Sequence, residues 1–142
     1  MSNVTLVCSG LAGGLLAGFL GRRGYEIDLF ARRPDPRAGN TVGGRSINLA
    51  LSTRGIHALA QLGIADEVLR HAIPMRGRMI HDKSGALHFS PYDRHPAKCI
   101  NSIGRGALNT VVIEAAQRHP NVRVLFNHRC LHGDFPPPAR QL

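Results

Sequence analysis

The strongest constraint on this chain lies in its first thirty or so residues. A continuous apolar run from Val4 to Val7 is followed by a glycine cluster, Gly10 to Gly14. An apolar stretch from Leu15 to Arg23 then stops at Gly24, and an alternating run follows from Tyr25 to Phe30. Short continuous apolar runs are typical of strands buried on both faces. Glycine just past a periodic stretch is a helix stop. In the last run Tyr25, Ile27 and Leu29 share one face, as a strand requires. Strand, turn, helix and strand in so short a span predict a βαβ unit, which closes right-handed around a parallel pair.

The turn has the spacing of the dinucleotide-binding pattern G-x-G-x-x-G, whose glycines do three separate jobs. The second lets backbone approach a pyrophosphate and the third lets the helix pack against the strand; Gly10 and Gly13 stand at these positions. The first permits a tight turn, and here it is Cys8, which adds a Cβ where none is expected. An acid normally closes the second strand and accepts hydrogen bonds from a ribose, yet this chain has Ala31 there. A hydrogen bond to a charged group is worth about 1.5–3 kcal/mol, so its loss lowers affinity roughly ten- to over a hundredfold. Asp28 and Glu26 sit too early on the strand to replace it. The other reading of the glycines is that they only allow close helix–strand packing.

Beyond Arg32 a loop rich in Pro, Gly and Arg runs to Gly44, and Ser52 is placed to cap a helix from Thr53 to Leu62. A short helix is expected from Asp66 to Ala72. Strands from Met75 to His81 and from Ala86 to Ser90 flank the turn-like Asp82-Lys83-Ser84-Gly85 and predict a hairpin. A strand is expected from Lys98 to Ile103, a helix from Leu108 to Arg118, and a strand from Val122 to Phe126 that joins the first two. The fold class is α/β: an incomplete Rossmann-like parallel sheet, with Val4 to Val7 central, and an inserted β-hairpin region. Residues 135–142, FPPPARQL, change character, because proline continues neither a ladder nor a helix interior. The expected division is 1–134 as one part of a split domain and 135–142 as a divergent Pro-rich tail, so that the architecture stops midway.

The formal net charge of +9 points to anionic partners. The arginines are scattered and only 5% of residues are aromatic, which leaves no stacking platform, so nucleic acid is not expected. The apolar stretch from Leu6 to Leu20 lacks a preceding positive residue and is too short and glycine-rich for a membrane span. Cys8, Cys99 and Cys130 are odd in number and widely spaced, which fits a reducing, cytoplasmic setting. His128, Cys130 and His132 alternate and would share a face on a strand, but no fourth ligand is evident and no metal is expected.

Several collinear stretches carry more specific information: "GRSINLALSTRG", "IPMRGRMIH", "SPY", "SIGRGALN" and "HPNVRVLFNHR". Together they resemble the kynurenine 3-monooxygenases, FAD-dependent aromatic hydroxylases. The resemblance implies an FAD-binding domain and an NADPH- and O₂-dependent hydroxylation of L-kynurenine. It implies that Ala12, with Gly10 and Gly13, lies in the turn over the FAD pyrophosphate. Phe30, Ala31, Arg32 and Arg33 would line the adenosine side, with Ala31 standing where the family has glutamate. Ala50, Arg105 and Cys130 would contact the cofactor, and Arg78 and Tyr92 would hold the substrate carboxylate. Arginine suits that role because its planar fork binds a carboxylate bidentately. Arg76 and Arg78 alternate on the expected strand, so either could face the ligand. The cofactor supplies the reactive chemistry, and no catalytic acid or base is expected among the side chains. The chain alone is expected to be inactive. The alternative is a non-enzymatic remnant or interaction module that has lost FAD. Oligomeric state stays open.

Overall fold

The computed structural model describes residues 3–39, 48–95 and 98–133. The tail at 135–142 and residues 44–47 of the GRSINLAL motif lie outside them. β1 (Asn3–Val7), α1 (Leu11–Arg22) and β2 (Glu26–Phe30) form the βαβ unit. β1 and β2 run parallel from Asn3 opposite Glu26 to Val7 opposite Phe30. After a 3-10 turn, Pro36–Ala38, come β3 (Asn48–Leu51), α2 (Thr53–Gln61), α3 (Ala65–Leu69), β4 (Ala72–Met75) and the pair β5 (Gly77–His81) and β6 (Leu87–Pro91). β7 (Ile100–Gly104), α4 (Arg105–Gln117) and β8 (Val122–Leu125) complete the order.

The first sheet has the order β1-β2-β8, so β2, not β1, is central. β8 pairs with β2 from Ile27 opposite Val122 to Phe30 opposite Leu125. Side-chain burial explains why. Ile27 and Leu29 are 2% and 0% exposed, whereas Val7 at the end of β1 is 57% exposed. Asn121 fixes the start of β8, its amide donating to the Gly21 and Tyr25 carbonyls at 2.9 and 2.7 Å. Arg123 and Asp28 add a two-bond ion pair across the β2–β8 ladder, at 2.7 and 2.8 Å, and this hydrogen bond raises the Arg123 pKa.

α1 begins at Leu11, so most of the expected glycine turn is helix. Four glycines in one helix each cost about 1 kcal/mol in propensity, and close packing explains three of them. A Cβ on Gly14 would lie 2.8 Å from a Val112 methyl, one on Gly18 2.8 Å from Leu62, and one on Gly21 2.5 Å from Val122. Gly14 meets Val112 and Gly21 meets His119, so α1 and α4 run in the same direction and their N-termini lie at the same end of the sheet.

A second sheet, β3-β7-β4, is antiparallel. Two of its members correct the sequence reading. β3 falls in a segment not expected to be a strand, and the helix from Asp66 stops at Leu69 so that Ala72–Met75 can pair with β7. Ser52 sits at the N-cap of α2, but its side chain makes no capping bond. The strand expected from Met75 to His81 is split at Arg76 into β4 and β5. β5 and β6 pair antiparallel around a turn in which Asp82 Oδ1 accepts from the Ser84 and Ala86 amides, at 2.8 and 2.9 Å. Apolar side chains from α2, α3, α4 and β7 form one core, and Ala17, Ile27, Leu29, Ala116 and Val122 form another behind the first sheet.

Candidate functional site

The C-terminal end of the first sheet gathers the glycine turn, the segment after β2 and the segment after β8. The Cys8 amide donates to the Phe30 carbonyl at 3.1 Å, which sets the turn beside the end of β2. Cys8 holds φ +142°, a region side-chain-bearing residues rarely adopt, so the first-glycine position keeps a glycine conformation without a glycine. Gly13 is required by the same turn, because a Cβ there would lie 1.7 Å from the Cys8 carbonyl oxygen. Gly10 is the N-cap of α1, with no side-chain cap and no acid in the first turn. The opening amides of α1, around the exposed Ala12, therefore suit an anion, as helix N-termini do.

Residues 31–33 are pinned by backbone. The Ala31 amide donates to Leu125 O at 2.8 Å, His128 N donates to Ala31 O at 2.8 Å, and Asn127 N donates to Arg33 O at 3.2 Å. Asn127 turns through φ +60°, which asparagine tolerates. Ala31 is 1% exposed and so offers a ligand almost no surface, while Arg32 and Arg33 are exposed. Phe30 stacks edge-on with His128, ring centres 5.7 Å apart. The nearest acid downstream, Asp35, is held by Arg37 through bonds of 2.6 to 3.1 Å. Arg37 also lies over the Phe126 ring. The Arg37 guanidinium holds the Asp35 carboxyl below its ordinary range, and Asp35 in turn raises Arg37. Sequence reading passed over this pair, although Asp-Pro is a turn-initiating signal.

Arg105 is the first residue of α4 and is exposed. Ala50 lies on β3 opposite Ser102, and Asn48 is opposite Gly104, so both reach the site's end of the molecule through β7. One helical turn past Arg105, the Asn109 Oδ1 atom is buried and has no hydrogen-bond partner among the described residues. Cys130 is exposed and points its thiol at the His132 carbonyl, 3.5 Å away. β8 has ended at Leu125, so His128, Cys130 and His132 do not share a strand face. Arg78 lies on β5 of the two-stranded β5–β6 sheet, and Tyr92 follows the end of β6. Arg78 pairs with Ser90, and the Tyr92 amide donates to the Arg76 carbonyl at 3.0 Å. Both side chains are exposed. Among the described residues no helix is long and apolar enough to cross a membrane.

Residues 1–135 match the family model described as "FAD binding domain". The chain belongs to the FAD binding domain family. It is 50% identical over 132 residues to a protein named kynurenine 3-monooxygenase from Myxococcus xanthus, covering 93% of this chain and 28% of that protein. It is 49% identical to the protein of the same name from Anopheles gambiae, covering 94% of this chain and 27% of that one. The chain thus spans less than a third of the length of these relatives. Among solved structures, p-nitrophenol 4-monooxygenase from Pseudomonas putida matches with a TM-score of 0.69 at 18% identity over 89% of this chain and 33% of that one. The tetrameric form of 2-methyl-3-hydroxypyridine-5-carboxylic acid oxygenase matches with a TM-score of 0.72 at 16% identity, covering 89% of this chain and 32% of that one. These two likenesses establish the α/β fold with its parallel sheet. The features of the FAD binding domain family that fit a dinucleotide here are the uncapped start of α1 and the glycine pair. The feature that fits an unmodified ribose poorly is the end of β2, which has no carboxylate at Ala31.

Proposed function

We propose that this chain is the FAD-holding portion of a flavin-dependent hydroxylase acting on kynurenine. The observation that carries the proposal is the 50% identity to a protein named for that activity over 93% of this chain. In this proposal the sheet is a Rossmann-like FAD platform formed by residues 1–134, and 135–142 is a separate tail. The α1 amides around Gly10, Ala12 and Gly13 hold the pyrophosphate. Phe30, Ala31, Arg32 and Arg33 border the adenosine. Ala50, Arg105 and Cys130 approach the rest of the cofactor, with Arg105 supplying a cation on the same side as the α1 N-terminus. Bound FAD, reduced by NADPH, supplies the activation of O₂ for ring hydroxylation. Arg78 orients the substrate by pairing with its carboxylate, and Tyr92 adds a neutral donor. The three unpaired thiols suit a reducing, cytoplasmic compartment.

A second reading, a chain that has lost flavin, is favoured by Cys8 in its positive-φ conformation and by the missing acid at Ala31. Titrating the purified chain with FAD and following flavin fluorescence separates the two. Saturable quenching and a yellow protein support the cofactor holder. A colourless protein that takes up no FAD supports the second reading.

A further inference from the structure

We infer that the Ser90 hydroxyl binds the substrate carboxylate beside Arg78 and so helps to select an acid over its uncharged analogue. This rests on the reading that Arg78 and Tyr92 hold that carboxylate. The β5–β6 ladder places the three together. Arg78 is opposite Ser90, and residues directly opposite in an antiparallel pair share a face. The bond from the Tyr92 amide to the Arg76 carbonyl, at 3.0 Å, carries the ladder one step past the end of β6. Tyr92, two residues on from Ser90, therefore stays on the same face. The other face is largely apolar, with Met79 opposite Phe89 and Leu87 opposite His81.

Along the polar face Ser90 sits between His88 and Tyr92, a short side chain between two rings, and forms a notch with Arg78 across from it. Ser90 is half-buried, whereas Arg78 and Tyr92 are exposed. Its hydroxyl has no hydrogen-bond partner among the described residues. At the floor of the notch it can donate to one carboxylate oxygen while the Arg78 fork closes from the neighbouring strand. Gly77 lets the strands approach at this level, because a Cβ there would lie 2.5 Å from both the Phe89 ring and the Ser90 carbonyl oxygen.

The acids close to this face in sequence are engaged elsewhere. Asp82 accepts from the Ser84 and Ala86 amides and lies 3.7 Å from His88. Asp93 accepts from the His95 amide at 2.8 Å and lies 3.7 Å from Lys98. Arg78 has no ion-pair partner among the described residues. A carboxylate entering the notch therefore displaces no protein anion from Arg78 and gains charge-assisted bonds.

The test is NMR titration of the full chain with L-kynurenine and with its α-carboxamide, which keeps the ring and the amine but lacks the carboxylate. The parent is expected to bind the acid about tenfold or more tighter than the amide, the gain from charge-assisted contacts. Ser90→Ala, checked for folding by circular dichroism, is expected to cost the acid about three- to tenfold in affinity and the amide less than about twofold. Ser90→Thr keeps the hydroxyl and should retain most of the preference, whereas Arg78→Ala should abolish it. A preference that survives Ser90→Ala but falls in Arg78→Ala overturns the inference and leaves the substrate reading standing. Equal losses for acid and amide in Ser90→Ala give the serine a structural role and overturn the inference too. A parent without preference, a preference untouched by either substitution, or a chain that binds neither compound overturns both.

Discussion

Replacing Cys8 with glycine should stabilise the chain, against the usual outcome of introducing glycine. The residue sits at φ +142°, where a Cβ costs on the order of 1–3 kcal/mol. Glycine removes that strain but frees the unfolded chain by about 0.5–1 kcal/mol. The thiol is exposed, so no burial is forfeited, and the bond to the Phe30 carbonyl is made by backbone and survives. The balance is a gain of about 0.5–2 kcal/mol, or roughly 2–8 °C in Tm for a chain of this length. The assay is a thermal melt under reducing conditions, with Cys8→Ala as the control that discards sulfur but keeps the Cβ. Cys8→Ala should melt close to the parent. If Cys8→Gly melts at or below the parent, the turn is not strained. If Cys8→Ala gains as much, the thiol and not the backbone is responsible.

Gly13→Ala should lose about 3 kcal/mol or more in urea unfolding, because its Cβ would overlap the Cys8 carbonyl, whereas Gly10→Ala, with its nearest neighbour 3.4 Å away, should be far milder. Leu29→Ala should lose about 2–5 kcal/mol by the same measurement, since Leu29 is 0% exposed at the centre of the first sheet. The Asp35 carboxyl is lowered by Arg37, so the pair's contribution is present above the ordinary aspartate pKa of about 3.9 and is lost as pH falls through the lower folded value. Carboxyl titration by NMR should place the Asp35 midpoint below that figure, and Arg37→Ala should return it; because the pair is partly exposed, the associated stability should be at most about 1 kcal/mol. The chain supplied with FAD, NADPH and kynurenine should yield no 3-hydroxykynurenine by direct product assay. Arg78 and Tyr92 are open to water, and a substrate held loosely by about an ångström already reacts roughly a hundredfold slower. Measurable product would refute this.

The βαβ unit was legible because its signals are local: one apolar run, one alternating run and glycines at fixed offsets between them. The start of α1 was not, since Gly13 and Gly14 read as turn until Val112, nearly a hundred residues later, is seen packed on Gly14. Strand order depends on pairing between distant segments, and nothing within Val122–Leu125 announces β2 rather than β1 as its neighbour. β3 escaped notice because four residues are too few to show a period. Among site residues, the glycine turn and the end of β2 come together as their spacing implies. The Asp35–Arg37 closure is local and carries a turn signal in Asp35-Pro36, whereas the orphaned Asn109 oxygen is a product of packing, which composition and spacing do not encode.

The β2–β8 partnership sets a timetable for synthesis. Asp28 and Arg123, which face each other across that ladder, are separated by 95 residues. At about 5–20 residues per second, β2 leaves the ribosome roughly 5–20 s before its outer neighbour exists. During that interval the edge of β2 and the glycine face of α1 are both uncovered, and an unpaired edge is a template for association with other chains. Slower translation lengthens this interval and faster translation shortens it. The yield of folded protein should therefore respond to codon choice between β2 and β8 more than to codon choice before β2.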